Sequence, residues 1–507
     1  MGKIFLDLLK RYNSPAEIKE EEISEIIENF YEFLDYIKNK DRDEEDLIPV
    51  CTKLKELAAP IESYKIMKED AEYYRFYGEY DKYYNRLYYA YAYAVLGYPT
   101  IRMEKELKDI IEKVREYRNG EYFLPLFLNV LGNIYHIYRE KYEEAESLYE
   151  EALQFLLNLK KEKYYNITGR DYNATFGLVV NNYIDTILKV EIDENKEKKL
   201  LELEDLLRKI DKSGYIDILS ELNKAEILIK RDKLDDGEKV IKNLLRDLKP
   251  DFSRYVLPAA NRMRAIIHYK KGNTKDGIDY AIKSFANSSY YGNTLCEKET
   301  LFTILEIFDG VMKKNNEMDK REFLKINGFV DTVIDILSYK DWNLGAEHSA
   351  NVAQIAKLIS LYMKLDEESV KVISFAGILH DIGKIMIPNF TLNKTEELDS
   401  VDWDIIKAHV EEGYRILKRI SLDKEAQIVY EHHERIDGSG YPRGTKKPLL
   451  ESQIVAVGDV FDAAVSYGRK YKKKKSYEEI FEELKNKQGY EFYPEVLNAL
   501  WDVLPSM

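Results

Sequence analysis

Apolar residues recur every three to four positions over roughly the first 320 residues of the chain, with charged residues between them. This spacing places the apolar side chains on one face of an α-helix. Glycine and proline, which interrupt helices, are sparse over the same stretch. We therefore expect this part of the chain to fold as helix after helix, and residues 128–155 are its clearest segment.

Residues 128–155 resemble a tetratricopeptide repeat, in which small residues let paired helices approach and aromatic residues fill the gaps between them. The turn is one residue longer than the usual pattern. The matching positions are Leu131, Gly132, Tyr135, Tyr142, Ala145, Tyr149 and Ala152. Three weaker copies keep the register: Ala225, Leu228, Asp232, Gly237 and Leu244; Ala265, His268, Gly272, Gly277 and Ser284; Ala71, Tyr74, Gly78, Tyr83 and Ala90.

This resemblance implies a helical solenoid whose concave face holds a peptide or protein partner. The alternative is an irregular helical bundle, in which the tyrosines are simply core residues. His136 and His268 are expected to be packing residues between paired helices. A polar stretch at residues 313–323 ends the region, and we predict domains at 1–322 and 323–507.

The other five of the seven histidines lie within residues 348–433. His380 and Asp381 interrupt the apolar helical segment FAGILHDIGKIMIP, where a buried carboxylate is unfavourable unless it is paired or bound to a cation. Neighbouring helical residues point about 100° apart, so both reach one centre only at a helix end. Gly383 would permit a turn there, and Lys384 would aim its ammonium at the same place. The alternative interpretation is a paired histidine and aspartate in a core.

Three further segments carry candidate metal ligands. His348 opens an amphipathic helix, and His409 opens another, in which Gly413 allows close helix approach. The adjacent His432 and His433 end an apolar segment, and Asp459 lies in a second one. Five imidazoles and two carboxylates are too many for one tetrahedral site, and they suit two metal ions that share a carboxylate.

The His380-Asp381 pair, with Gly383-Lys384 and the later HHERIDGSGYPRG at 432–444, resembles the HD-GYP family of the HD phosphohydrolase superfamily over roughly residues 325–507. The resemblance implies an all-α chain, with tetratricopeptide-like repeats before an HD-type metallophosphohydrolase domain. It implies the metal ligands His348, His380, Asp381, His409, His432, His433 and Asp459, with Asp381 bridging. Lys384 would contact the scissile phosphate. The remaining substrate-binding residues would be Asp437, Gly438, Gly440, Tyr441, Pro442, Arg469 and Lys472.

The substrate implied by the resemblance is cyclic di-GMP, linearised to pGpG and sometimes carried on to GMP. Some relatives have a glutamate four residues before the first histidine, which recruits a third metal. Leu344 stands there in this chain, so we expect two metals. The many imidazoles favour Fe or Mn over Mg, which prefers oxygen ligands. The family often has Phe-Asp-Pro near its C-terminus, where this chain has Phe492-Tyr493-Pro494.

Composition narrows the functional classes. The net charge of -15 disfavours non-specific nucleic-acid binding, which depends on neutralising phosphates. The sequence shows no transmembrane segment and no signal peptide, and its two cysteines lie in no motif, so we expect a cytoplasmic protein. Two alternatives stay open: a phosphodiesterase for another cyclic dinucleotide such as cyclic GMP-AMP, and a mainly non-catalytic nucleotide sensor or scaffold. A homodimer is also possible.

Overall fold

All regular elements are helical in the part of the chain that the computed structural model describes. That part excludes residues 1, 13–19, 40–45, 58, 211–214, 250–251, 291–293, 315–318, 327, 342–346, 395–396, 467–476, 488 and 505–507. The expected all-α fold is confirmed. The chain forms two compact units, Met1–Thr303 and Ile304–Met507, whereas the sequence placed a boundary between residues 322 and 323. Leu344, Arg469 and Lys472 lie outside the described residues.

The first unit is a succession of helices. They are α1 (Gly2–Leu9), α2 (Glu20–Lys38), α3 (Ile48–Glu56), α4 (Pro60–Phe76), α5 (Tyr80–Leu96), α6 (Ile101–Glu116), α7 (Gly120–Asn133), a π-helix (Ile134–Arg139), α8 (Tyr142–Asn158), α9 (Lys161–Thr168), α10 (Tyr172–Leu188), α11 (Glu194–Lys209), α12 (Tyr215–Lys230), α13 (Leu234–Arg246), α14 (Ser253–Lys270) and α15 (Thr274–Tyr290). Helix α16 (Thr294–Lys314) follows. The pairs α4–α5, α7–α8, α12–α13 and α14–α15 pack against each other.

These four helix pairs turn in the same way. Each has one residue with a positive φ between its helices, namely Gly78, Glu140, Asp232 and Gly272. In three pairs the next amide donates to the carbonyl five residues back, as Lys233 does to Leu228 at 2.9 Å. The amide of Lys141 instead donates to Tyr135, six residues back. The π-helix therefore absorbs the extra residue that the sequence places in this turn.

Close approach within the pairs depends on small residues. A Cβ atom at Gly132 would lie 2.6 Å from the ring of Tyr149, whose hydroxyl donates to Asn133 at 2.7 Å. A Cβ at Gly277 would lie 3.1 Å from the carbonyl oxygen of Ala265. Gly132 and Gly277 of the repeat pattern therefore lie at helix contacts. The assignment of these pairs to the tetratricopeptide class stays a prediction.

The second unit contains α17 (Lys320–Ile326), α18 (Phe329–Lys340), α19 (His348–Tyr362), α20 (Glu367–Leu379), a 3-10 helix (Ile382–Met386), α21 (Asn389–Leu392), α22 (Ser400–Lys407), α23 (His409–Arg419), α24 (Asp423–Glu431), α25 (Leu450–Ser466), α26 (Tyr477–Lys487) and α27 (Pro494–Val503). Its core joins α19, α20, α25 and α27 through buried aliphatic side chains such as Ile355 and Leu497. A Cβ at Gly377 would lie 2.9 Å from Cα of Ala353, so α19 and α20 pack closely. None of the described helices combines the length and the apolar character that crossing a membrane requires.

Candidate metal centre

Helix ends bring the five clustered histidines together. His348 and His409 are the first residues of α19 and α23, whereas His380 and the pair His432-His433 directly follow α20 and α24. The five rings form a continuous series: neighbouring centroids are 5.3 Å apart for His348–His380 and His380–His432, and 5.1 Å for His409–His433. Side chains that the chain separates by up to 85 positions thus share one site.

The site contains two groups of three candidate ligands. One group is His348, His380 and Asp381, and the other is His409, His432 and His433. Within each group, the candidate ligand atoms lie within 4.8 Å of one another. Sets of three ligand atoms at this spacing are typical of the sites that bind transition metals in proteins.

Backbone carbonyls fix the orientation of three of these rings. The Nδ1 atoms of His380, His409 and His432 lie 2.9, 2.7 and 2.6 Å from the carbonyl oxygens of the residues three positions earlier. Among the described residues, their buried Nε2 atoms have no partner in hydrogen-bond geometry. Metal-ligating histidines characteristically bond a carbonyl or carboxylate through their other nitrogen. These side chains therefore fit a bound metal.

Asp381 lies between the two groups. Its Oδ2 is 3.2 Å from Nε2 of His380, and its Oδ1 is 3.5 Å from Nε2 of His409. Asp459 lies beside the first group, with Oδ1 3.3 Å from Nε2 of His348. The two oxygens of one buried carboxylate thus face different histidine groups, as a bridging ligand would.

Burial and neighbouring charge set the protonation of the site. Burial, together with the nearby His380 and His409, lowers the pKa of His432 to about 3. Burial likewise holds the pKa of His409 and His433 below the usual range. Burial by itself would raise the pKa of Asp381, but the Lys384 ammonium together with His380 and His409 outweighs it and holds that pKa well below its usual range. Neutral imidazoles and ionised carboxylates are the forms that bind metals.

His348 has a carboxylate partner for each ring nitrogen. Its Nδ1 lies 2.7 Å from Oδ2 of Asp462, which also accepts from the Asn351 amide at 3.0 Å through its other oxygen. Burial opposes the charged ring, but the hydrogen bonds to Asp459 and Asp462 outweigh it and raise the pKa of His348 to about 10. Asp462 therefore orients this ring, with its Nε2 directed at Asp459.

Two carboxylates hold the ammonium of Lys384. Its Nζ lies 2.9 Å from Oδ2 of Asp381 and 3.0 Å from Oδ2 of Asp341. Burial opposes the charge, but the two carboxylates raise the pKa of Lys384. The lysine is consequently a fixed cation beside the carboxylate that faces both histidine groups.

Two glycines allow the segments that carry the two ligand groups to pack closely. A Cβ at Gly383 would lie 1.8 Å from the carbonyl oxygen of His409, and one at Gly413 would lie 2.8 Å from the side chain of Val429. The backbones of the 3-10 helix and α23 are therefore in close contact at Gly383, and α23 packs closely on a side chain of α24 at Gly413. The sequence suggested a turn at Gly383; the structure ends α20 at Leu379, shortly before this position, and adds this close contact.

The loop after α24 folds back on the site. The Tyr441 ring stacks on His433 at 4.7 Å between centroids, and its amide donates to the His433 carbonyl at 3.2 Å. Gly438 has a φ of 86°, and a Cβ at Gly440 would lie 2.4 Å from the His433 carbonyl oxygen. Asp437 accepts from Ser439, and the peptide bond between Tyr441 and Pro442 is cis. The loop thus brings Tyr441, of its five predicted residues, into ring contact with the histidines.

The structure places the seven expected ligands and Lys384 together, while Arg469 and Lys472 lie outside its described residues. Sequence reasoning missed Asp341 and Asp462. Asp462 lies three positions after Asp459, on the same face of α25, and this spacing was the available signal. Asp341 ends α18 without any motif, so only the fold reveals its contact with Lys384.

The sequence is similar to those of known proteins. Residues 331–496 match the HD domain family. A cyclic di-GMP phosphodiesterase of Thermotoga maritima is 40% identical over 186 residues, which are 35% of this chain and 50% of that protein. A cyclic di-GMP phosphodiesterase response regulator of Xanthomonas campestris is 33% identical over 201 residues, 39% of this chain and 52% of the relative.

A third relative carries a different substrate in its name. It is a 3'3'-cGAMP-specific phosphodiesterase of Vibrio cholerae, 38% identical over 169 residues, which are 31% of this chain and 32% of that protein. The chain spans about half the length, or less, of the curated relatives it matches. The match to the HD domain family, at residues 331–496, lies within the second unit.

Proposed function

Because the second unit of this chain is an HD domain similar to cyclic di-GMP phosphodiesterases, we propose that the protein is a metal-dependent, cytoplasmic cyclic-dinucleotide phosphodiesterase. Its proposed reaction is the hydrolysis of cyclic di-GMP to pGpG, with GMP as a further product. The observation that carries this proposal is the pair of buried histidine groups on either side of Asp381.

The proposed site holds two divalent ions, of which Fe or Mn best suits so many imidazoles. His348, His380, Asp381 and Asp459 would hold one, and Asp381, His409, His432 and His433 would hold the other. Such ions, when bound, activate water and neutralise charge on a phosphoryl group. Three of these histidines have buried Nε2 atoms without a partner in hydrogen-bond geometry among the described residues, which supports this assignment.

Lys384 would bind the scissile phosphate. Its ammonium is fixed between two carboxylates and lies beside Asp381, where negative charge on the phosphoryl oxygens would develop. A preorganised cation in a buried site stabilises such charge without reorganising during the reaction. The carboxylates of Asp341 and Asp381 keep this cation charged and in place.

The relative from Vibrio cholerae favours a second candidate substrate, 3'3'-cGAMP. Both substrates have two purines and two phosphodiesters in one ring, so the metal groups alone do not discriminate between them. A non-catalytic sensor is the remaining alternative. It would bind a cyclic dinucleotide without cleaving it.

The test begins with anaerobic purification, metal analysis and incubation with each dinucleotide, followed by chromatography of the products. We expect two Fe or Mn ions per chain and pGpG from cyclic di-GMP.

Asp381→Ala should abolish turnover, because the substitution removes the carboxylate shared by both groups. His432→Ala should lose metal, whereas His268→Ala in the first unit should retain it. Full turnover by Asp381→Ala would refute the bridging role, and bound metal without turnover would favour the sensor.

The helix pairs of the first unit would bind a protein or peptide partner that regulates hydrolysis. Their repeated turns and close helix contacts support a repeat surface of this kind. Limited proteolysis of a partner complex would test it, since a bound segment protects both chains. A homodimer is a second assembly to examine, by light scattering of the full chain.

A further inference from the structure

An exposed aromatic ring and an exposed lysine continue the site towards the surface. Trp403 and Lys407 lie one helical turn apart on α22 and are both exposed, with Trp403 46% exposed. The Lys407 Nζ is 5.9 Å from the centroid of the Trp403 ring and 5.5 Å from that of Tyr441. Since the Tyr441 ring also stacks on His433, these side chains connect the histidine groups to solvent.

Burial decreases step by step along this connection. His409 and His432 are fully buried, His433 and Tyr441 are partly buried, and Trp403 is exposed. A substrate whose phosphate reaches the buried groups must extend in a direction where space is available. The face formed by Tyr441, Lys407 and Trp403 leads in such a direction, because Tyr441 is partly buried and the other two side chains are exposed to solvent.

Helix α22 is a rigid support for this face. Asp399 caps it through the amides of Val401 and Asp402 at 2.8 and 3.0 Å. Asp402 is completely buried and binds Lys394 at 2.9 Å. The Trp403 ring is thus presented by an anchored helix, which lowers the conformational entropy lost when a ligand stacks on it.

We propose that Trp403 and Lys407 form a binding subsite for the second nucleotide of the cyclic dinucleotide. This proposal rests on the phosphodiesterase function proposed above. The scissile phosphate lies at the histidine groups, one purine stacks on Trp403, and the second phosphate lies near the Lys407 ammonium. Aromatic rings bind any purine through its π-face, whereas a lysine provides a point charge for a phosphate. Among the described residues, this ammonium has ring contacts and no carboxylate partner.

The test compares two substrates of the metal-loaded full chain. Cyclic di-GMP contains the second nucleotide, whereas bis(p-nitrophenyl) phosphate contains only a phosphodiester. Trp403→Ala should raise KM for cyclic di-GMP about 5- to 150-fold with kcat retained, and Trp403→Phe should restore most of the affinity. Neither variant should alter KM for the small diester. Lys407→Gln should raise KM for cyclic di-GMP and reduce its dependence on salt.

Two matched controls lie on α19. Tyr362 is 51% exposed at the end of α19 opposite His348, and Tyr362→Ala should leave KM for both substrates unchanged. Lys357→Gln is the corresponding control for the lost charge. An unchanged KM for cyclic di-GMP in Trp403→Ala would overturn the subsite. An equal loss on both substrates would also overturn it, because it would indicate a structural role.

A binding measurement separates this proposal from the proposed function. If the unaltered protein binds cyclic di-GMP without cleaving it, the phosphodiesterase proposal fails, and the dissociation constants of the same variants test the subsite. We then expect the same weakening in Trp403→Ala. If the unaltered protein cleaves the small diester but does not bind cyclic di-GMP, the subsite is wrong as well.

Discussion

Replacing Gly383 by alanine should separate the two histidine groups. The new Cβ would lie 1.8 Å from the carbonyl oxygen of His409 and 2.6 Å from the Gly413 amide nitrogen. Carbon and carbonyl oxygen ordinarily stay at least about 3.3 Å apart, so the two backbones must separate by about 1.5 Å. Both obstacles are backbone atoms, which a rotamer change cannot move. His409 would therefore move away from Asp381.

The structural change predicts two magnitudes. Overpacking of this kind destabilises a protein by about 1 to 3 kcal/mol, which for a unit of this size lowers the unfolding temperature by about 2 to 12 °C. A displacement of an ångström at a reacting centre lowers activity by about 100-fold. Metal content should fall too, since the proposed second ion shares Asp381 with the His409 group.

Gly458→Ala is the matched control. Gly458 directly precedes Asp459, yet a Cβ there would meet its nearest atom at an ordinary 3.4 Å. Alanine stabilises a helix relative to glycine, so this variant should keep its unfolding temperature, metal and activity. The assays are thermal unfolding, metal analysis and hydrolysis of a small phosphodiester. If Gly383→Ala matches Gly458→Ala in all three, the close contact does not set the site.

Three further predictions follow from other contacts. Asp462→Asn should weaken metal binding by about 10- to 100-fold because His348 loses its orienting carboxylate; metal titration measures this, and the exposed Asp502→Asn is the control. Adding Mn should raise the unfolding temperature of the metal-free protein, because an ion that binds only the folded site stabilises it; the rise should vanish in His432→Ala. In the first unit, burial opposes ionisation of Glu226, but Lys189 and Arg262 outweigh it and lower its pKa to about 2. That contribution to stability is complete above the ordinary carboxyl pKa of about 4.3 and is lost as pH falls towards 2, so Glu226→Gln should flatten the acid side of a thermal unfolding profile while Glu221→Gln does not.

The sequence by itself determined the helical fold and indicated which residues form the candidate site. The apolar spacing predicts helices because it depends only on neighbouring residues. The His380-Asp381 pair and the other clustered histidines also stood out, because polar ligands in apolar segments need a partner. The HD-type domain predicted from these residues is confirmed. The sequence also shows that the turn near Tyr135 is one residue longer than the tetratricopeptide pattern. It does not reveal the π-helix that accommodates this residue.

Only the tertiary structure decided how these residues act together. The sequence does not reveal which ring nitrogen of His409 faces inward, since that depends on the Ile406 carbonyl. Nor does it pair Lys384 with Asp341, or His348 with Asp462, because those partners lie 43 and 114 positions apart along the chain. Local periodicity specifies which face of a helix is buried. The contacts across the site depend on how the helices pack, which periodicity does not specify.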